Sequence, residues 1–207
     1  MEDVLDLYAA SEDPLRPRIC FDESPYQIIS EVQVVVPATP GHVERHDYEY
    51  RREGTCNLFM FARPHTGWRH VKVTSRRAAV DFAYCMRDLV DVYFPEAVLI
   101  QVVMDNLNTH DLAVLYDVFP PEEARRIARK IAIHYTPKHG SWLDMAEIEF
   151  AVLASQCLDR RFDTQAQVAA EIAVWEDDRN ARAVPIHWHF TATDARHALK
   201  RLYPSTS

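Results

Sequence analysis

Glycine is scarce. Four glycines in 207 residues leave no material for a Gly-rich phosphate loop or a flexible linker, and no internal repeat or low-complexity tract stands in their place. The four cysteines, Cys20, Cys56, Cys85 and Cys157, lie far apart with no C-x-x-C pair, which argues against zinc or disulfides and for reduced core thiols. Long apolar runs are missing too. Val34 to Val36, and Ala97 to Ile100 with its continuation past Gln101, fall far short of the ~20 residues that a membrane span requires. The first six residues are acidic rather than basic and no apolar segment follows them, so no secretory signal is expected and the protein reads as cytoplasmic, without a membrane partner. A basic excess is also absent. Lys and Arg number 23 against 31 Asp and Glu, a formal charge of −8, the reverse of the surplus that displaces counterions from nucleic acid. The charge is uneven, however: Arg51, Arg52, Arg63, Arg69, Lys72, Arg76 and Arg77 crowd one third of the chain, so a local basic surface is compatible with the acidic total.

What is present suits one sizeable core: 48% of residues are hydrophobic and 26% charged, in a chain of single-domain length. Arg18 to Asp22 is a short apolar run closed by an acidic pair and halted by Pro25, and reads as a strand. Cys56 to Ala62 is apolar almost throughout, as in a strand buried on both faces, and Trp68 to Thr74 alternates; Pro64 to Gly67 supplies the turn of a hairpin. Residues 76 to 93 carry Ala79, Phe82, Ala83, Met86, Leu89, Val90 and Tyr93 at helical spacing. Ala97 to Met104 is the strongest strand, ended by Asp105 and Asn106. A helix is expected from about Pro120, with Glu122 and Glu123 in its first turn and Arg125 to Lys130 toward its end, as suits the helix dipole. Ile131 to Tyr135 is a last strand, followed by a helix from about Ser141 to Leu158 and another from Thr164, where T-x-x-Q forms a capping box. Trp188 and Phe190 should dock the tail, with a short helix after Thr193. This order predicts a mixed α/β sheet of five strands with helices on both faces.

Three acids occupy places where α/β sheets gather functional groups. Asp22 closes the first strand and Asp105 the central one, so parallel neighbours would bring both carboxylates to one sheet edge. Glu147 lies in the first turns of the helix after the last strand, on the side of Leu143, Phe150 and Ala151, whereas Glu149 points the opposite way. Oxygen donors without His or Cys select Mg²⁺ or Mn²⁺, and two such ions ~4 Å apart clamp the oxygens of an in-line displacement at phosphorus. Singly, each acid fits a turn or a helix cap better than a catalyst; the case rests on the three together.

The surrounding motifs are specific. C-F-D-E-S-P around Asp22, N-L-F-M-F-A-R-P-H-T-G-W-R-H-V from Asn57, V-M-D-N-L-N-T-H around Asp105, Y-T-P-K-H-G-S-W-L-D-M-A-E-I-E-F around Glu147 and the ending W-H-F-T-A-T-D-A-R-H-A-L-K-R-L-Y-P together resemble the bacterial insertion-sequence transposases related to mariner, whose core is a DDE superfamily endonuclease. The resemblance spans nearly the whole chain. It implies an RNase H-like fold, two Mg²⁺ or Mn²⁺ ions on Asp22, Asp105 and Glu147, and cutting of transposon ends with joining of 3′-ends to target DNA, at a short TA-containing site. The 42 positions between Asp105 and Glu147 exceed what the mariner branch leads one to expect, and an inserted helix near Glu122 would account for them. Asp144 stands where the family carries Asn, adding negative charge near the metals.

The resemblance also divides the chain into a linker remnant at 1–17, a catalytic domain at 18–190 and a docking helix and tail at 191–207. Family members carry helix-turn-helix units ahead of the core, and the 21 residues before Asp22 are too few for one. The expected partners are therefore transposon-end and target DNA, and either a second copy of the chain or a protein carrying the missing module. Two other readings stay open: another RNase H-like nuclease, and a non-catalytic remnant that regulates or dimerises with a full-length transposase. Among neighbouring residues, Asn106 and His110 suit either a water-orienting or phosphate-contacting role or a surface cap, and Lys138 and His139 either touch DNA phosphates or simply face solvent. Glu23 and the Arg125 to Lys130 run read as structural. Trp68, Trp142 and Trp188 read as core or docking residues rather than base-stacking platforms.

Overall fold

The computed structural model describes residues 1–32, 40–41, 49–106, 111–138 and 140–202. Five strands form one sheet in the order β3-β2-β1-β4-β5. Strands β1 (Arg18–Glu31), β2 (Tyr50–Arg63) and β3 (Trp68–Thr74) make an antiparallel meander, while β4 (Ile100–Met104) lies parallel to β1, and β5 (Ile131–Tyr135) parallel to β4. Every expected strand exists, and the sheet is mixed as its pattern required.

Period-two alternation sorts the central strands into two cores. Ile19, Phe21, Phe59, Phe61, Ile100, Val102 and Met104 face one layer, formed by α2 (Ala79–Asp88) with the π-helical turn Leu89–Tyr93, α3 (Val114–Val118) and α4 (Pro121–Arg129). Cys20, Leu58, Met60 and Val103 face the other layer, formed by α1 (Glu2–Ala9), α5 (Ala146–Gln156), α6 (Gln165–Arg182) and α7 (Ala192–Ala198). Burial on both faces is why these strands read as continuous apolar runs. All four cysteines are free and buried, as their surroundings implied.

Several boundaries differ from the sequence reading. Strand β1 does not end at Asp22; it continues through Pro25 to Glu31, paired throughout with β2. Pro25 is tolerated because β4 stops at Met104, so that beyond the parallel register no strand among the described residues pairs with β1 on that side. The helix expected from Ser141 is broken: a 3-10 turn at Ser141–Leu143 leads to an extended Asp144, and α5 begins at Ala146. Residues 1–17, expected as a linker, contain α1, whose Val4, Leu5, Leu7 and Tyr8 are buried. This helix is tied down by Arg18, which donates from Nη1 to Leu7 O (2.6 Å) and from Nη2 to Ala10 O (2.7 Å). The capping box at α6 forms as expected, Thr164 Oγ1 accepting from Gln167 N–H.

Strand β3 would expose a bare edge, and α6 covers it. Asn180 accepts from Arg69 N–H through Oδ1 and donates through Nδ2 to Arg69 O, both at 2.8 Å. Glu176 accepts from Val71 N–H and meets His70 Nδ1, each at 2.9 Å. The hairpin turn fits closely beneath the end of α6: Gly67 has φ +69°, and a Cβ there would come within 2.5 Å of Ala183 C and Val184 O. Replacing Asn180 by Ala strips two hydrogen bonds from a buried edge and should lower unfolding free energy by ~2–3 kcal/mol. Urea denaturation measures this, and a loss below ~0.5 kcal/mol would show that α6 does not seal the edge through this side chain.

Candidate active site

The parallel register of β1 and β4 fixes the first two acids. Cys20 is aligned with Val103, so the same register carried two residues further sets Asp22 beside Asp105, on the same face of the sheet. Asp22 sits within β1 where parallel pairing stops, and Asp105 is the first residue after β4. Neighbouring strands lie ~4.8 Å apart, so like charges are forced into proximity. Burial pushes the Asp22 carboxyl up to about 6, a hydrogen bond from Glu23 N–H to Oδ1 (2.7 Å) opposes the rise, and the charges of Asp105, Glu147 and Glu23 add to it. Those interactions bring Glu147 into the same group.

Glu147 occupies the first turn of α5, which runs over the face of β1 and β2 that carries Asp22. Its side chain is exposed, while Ala146, Glu149 and Leu153 form the buried face of the helix. The helical spacing separates the two glutamates as expected, but with the sides reversed: Glu149 lies on the buried face, and Ala151, expected beside Glu147 on the side toward the sheet, is exposed. Glu149 is 1% exposed, paired with Arg69 at 2.9 Å and Arg179 at 3.2 Å. Such an ion pair is occupied in holding the fold, which leaves Glu147 as the acid of α5 available at the sheet edge.

A fourth carboxyl lies beneath them. Asp144 is 2% exposed, and its Oδ1 accepts from Ala146 N–H at 2.9 Å. Burial, and then the charges of Asp22, Glu147 and Asp105, hold it well above the usual carboxylate range, against the effect of the Ala146 hydrogen bond. Burial among like charges thus works against the extra negative charge anticipated at Asp144. Asp144 and Glu147 are three positions apart and joined by the Glu147 N–H to Asp144 O hydrogen bond at 3.2 Å, a closeness that the short spacing made legible. Tyr8 supports the turn from below: its hydroxyl donates to Leu143 O at 2.7 Å and lies 3.3 Å from Cys20 Sγ. Nothing in the motifs marked Tyr8, because its role arises from the packing of α1.

Of the remaining candidates, Asn106 is exposed directly after Asp105, and Lys138 is exposed in the turn after β5. His110 and His139 lie outside the described residues. Glu23 is buried on the opposite face from Asp22 and lies 3.4 Å from Arg77, in keeping with a structural role. Arg126 of the basic run pairs with Asp91 and Lys130 donates to Pro95 O. Trp142 is 43% exposed and stacks on Trp188, which in turn meets Tyr8. A groove of about 660 Å³ lies between β1 and α5, lined by Ser24, Tyr26, Leu58, Phe150, Ala151 and Ala154 but by none of the three acids. A smaller, more enclosed pocket by Tyr8, Arg18 and Trp188 contains none of the acids.

The donor set is all oxygen, which fits a hard divalent cation. Among the described residues, no three His, Cys, Asp or Glu side chains stand close enough to hold a metal ion as they are. The carboxylates of Asp22, Asp105, Asp144 and Glu147 lie near enough for their charges to raise the Asp22 and Asp144 pKa values.

The raised Asp22 pKa has a defined consequence for stability. A folded value of about 6 against an ordinary 3.8 means that the folded state holds this proton more tightly; the contribution is complete below pH ~3.8 and lost as pH rises through 6. Without divalent cations, Asp22→Asn should therefore be more stable than wild type by ~2–3 kcal/mol at pH 7.5, with the gap closing toward pH 4. Urea melts across that range test it, and a gap that does not change with pH would refute the assignment.

The sequence from residue 17 to 169 matches the DDE superfamily endonuclease model. No curated protein matches. Three solved structures have the same fold: the Mos1 mariner paired-end complex with Mn (TM-score 0.57, 15% identity), the Mos1 transposase paired-end complex with left transposon end (0.57, 14%) and the Mos1 strand transfer complex (0.53, 14%). Each match covers 88% of this chain and 55% of the other, so the chain spans little more than half the length of those proteins. The mixed five-stranded sheet is thus RNase H-like, and the chain belongs to the DDE superfamily endonuclease family.

Proposed function

We propose that this chain is the catalytic core of a DNA transposase that cuts phosphodiester bonds at transposon ends and joins the freed 3′-ends to target DNA, using Asp22, Asp105 and Glu147 with two Mg²⁺ or Mn²⁺ ions. The observation that carries the reading is the register that sets Asp22 beside Asp105, with Glu147 close enough to raise the Asp22 pKa. Such mutual repulsion is what a divalent cation relieves. When bound, the ions would supply Lewis-acid stabilisation of the attacking and leaving oxygens at phosphorus.

The chain's own groups supply position. Asp22 and Asp105 are held by the sheet and Glu147 by α5, so the three donors come from elements that share one core rather than from free loops. Asn106, directly after Asp105, and Lys138, in the turn after β5, are both exposed and suited to contact phosphates, and His110 and His139, outside the described residues, are proposed for the same task. The groove along β1 and α5, whose lining includes Ser24 and Phe150, is proposed as a path for a strand leading from the scissile bond. The acidic total of −8 is met, in this reading, by a partner that brings DNA recognition, either a second copy of the chain or a protein with a helix-turn-helix module.

Labelled transposon-end DNA incubated with the chain, a supplied end-binding module and Mg²⁺ or Mn²⁺ should be nicked, and its 3′-end should appear covalently joined to target DNA. Asp22→Asn, Asp105→Asn and Glu147→Gln should each reduce cleavage by ~10³-fold or more, as loss of a group that acts as part of a unit does. Cleavage without joining would point to another RNase H-like nuclease; no cleavage with any end-binding module would favour a regulatory remnant. Undiminished cleavage by Asp105→Asn would remove that residue from the site.

A further inference from the structure

We infer that Glu149, clamped between Arg69 and Arg179, is the positioning residue that sets the rotation of α5 and so aims Glu147 at the sheet edge; the inference rests on the proposed role of Glu147. The Glu149 carboxylate is 1% exposed, as is Arg69. Arg69 Nη2 donates to Glu149 Oε1 at 2.9 Å, and Arg179 Nη2 to both carboxylate oxygens at 3.2 Å. The arginines are themselves fixed: Arg69 Nη1 donates to Arg179 O (3.0 Å) and Nη2 also to Val184 O (3.1 Å). The clamp therefore joins β3, α5, α6 and the chain after α6 in one buried network.

The rest of α5 is held largely by packing, with Phe150 and Val152 against the core of Leu153, and by Asp144 Oδ1, which accepts from Ala146 N–H at its start. Its N-cap, Met145, makes no side-chain cap bond, and its other buried residues, Ala146 and Leu153, are apolar, so their contacts are non-directional. Beyond the clamp, the directional link from α5 to another helix is Gln156, whose Oε1 accepts from Trp175 Nε1 at 3.0 Å. Gln156 lies two turns from Glu149 on the same face, just as Trp175 lies one turn from Arg179, so both links fix one side of α5 against α6. Glu147 is ~200° around the helix from Glu149. A rotation of about 20° would carry a carboxylate ~6 Å from the helix axis by on the order of 2 Å, enough to spoil a geometry that tolerates less than 1 Å of error.

The test uses the full chain and Mn²⁺ alone, with affinity read from the electron paramagnetic resonance signal of the free ion and melting temperature recorded for each variant. Glu149→Gln keeps the volume and removes the charge; Arg179→Gln loosens one side and serves if the first variant does not fold. Val168→Ala, a core change in α6 away from the clamp, gives a control of lowered stability. Both clamp variants should bind Mn²⁺ ~10- to 100-fold more weakly, while the control stays within about twofold of wild type. Clamp variants that bind like wild type, or a control that loses as much at equal melting temperature, would overturn the inference. A wild-type chain that binds no Mn²⁺ would instead overturn the proposed metal site, and this inference with it.

Discussion

The site depends on one constraint, the in-register parallel pairing of β1 with β4. The backbone hydrogen bonds at Arg18 to Cys20 and Gln101 to Val103 place two acids side by side that would separate if free to do so. The repulsion is visible in Asp22, whose carboxyl stands near 6 because of burial and its charged neighbours. The apolar residues on both sides of the pair hold it in place: Ile19, Phe21, Val102 and Met104 are buried in one layer, and Cys20 and Val103 in the other. A slip of one residue between the strands would send one strand's side chains into the wrong layer and part the acids to opposite faces, so the hydrophobic pattern that folds the sheet also keeps the two acids on one face.

The second constraint is borne by charge. Arg69, Glu149 and Arg179 bury three ionised groups between the β2–β3 hairpin and the two long helices. Networks of this kind add little net stability over an apolar equivalent, yet removing a single member costs ~3–5 kcal/mol. Their value lies in direction: helices α5 and α6 meet the sheet in one orientation rather than in several of similar energy. Asn180 and Glu176 extend the same interface along the outer edge of β3, which couples the C-terminal half of the chain to the strand farthest from the carboxylates.

Much of this was legible in the sequence. The five strands, the hairpin turn at Pro64 to Gly67 and the capping box at Thr164 followed from periodicity and turn chemistry, because each rests on local residues. That Glu147 and Glu149 lie on opposite sides of α5 was legible for the same reason, but not that Glu149 is the one turned to the core. What escaped was decided at a distance. Pro25 marked the end of β1 by local rule, but the strand runs on because one side of it lacks a partner. Met1 to Pro17 looked like linker because few residues are involved, yet Tyr8 reaches across 135 positions to Leu143. Asp144 adds a carboxyl beside the other acids, and its burial, which no local pattern encodes, raises its pKa and works against the charge expected there.

The account stands on three oxygen-bearing side chains from β1, the end of β4 and α5 sharing a pair of cations. Crystals soaked in Mn²⁺ and measured for anomalous scattering address this directly. The account predicts two peaks ~4 Å apart between Asp22, Asp105 and Glu147. Peaks elsewhere on the surface, or none at this edge at saturating Mn²⁺, would contradict it.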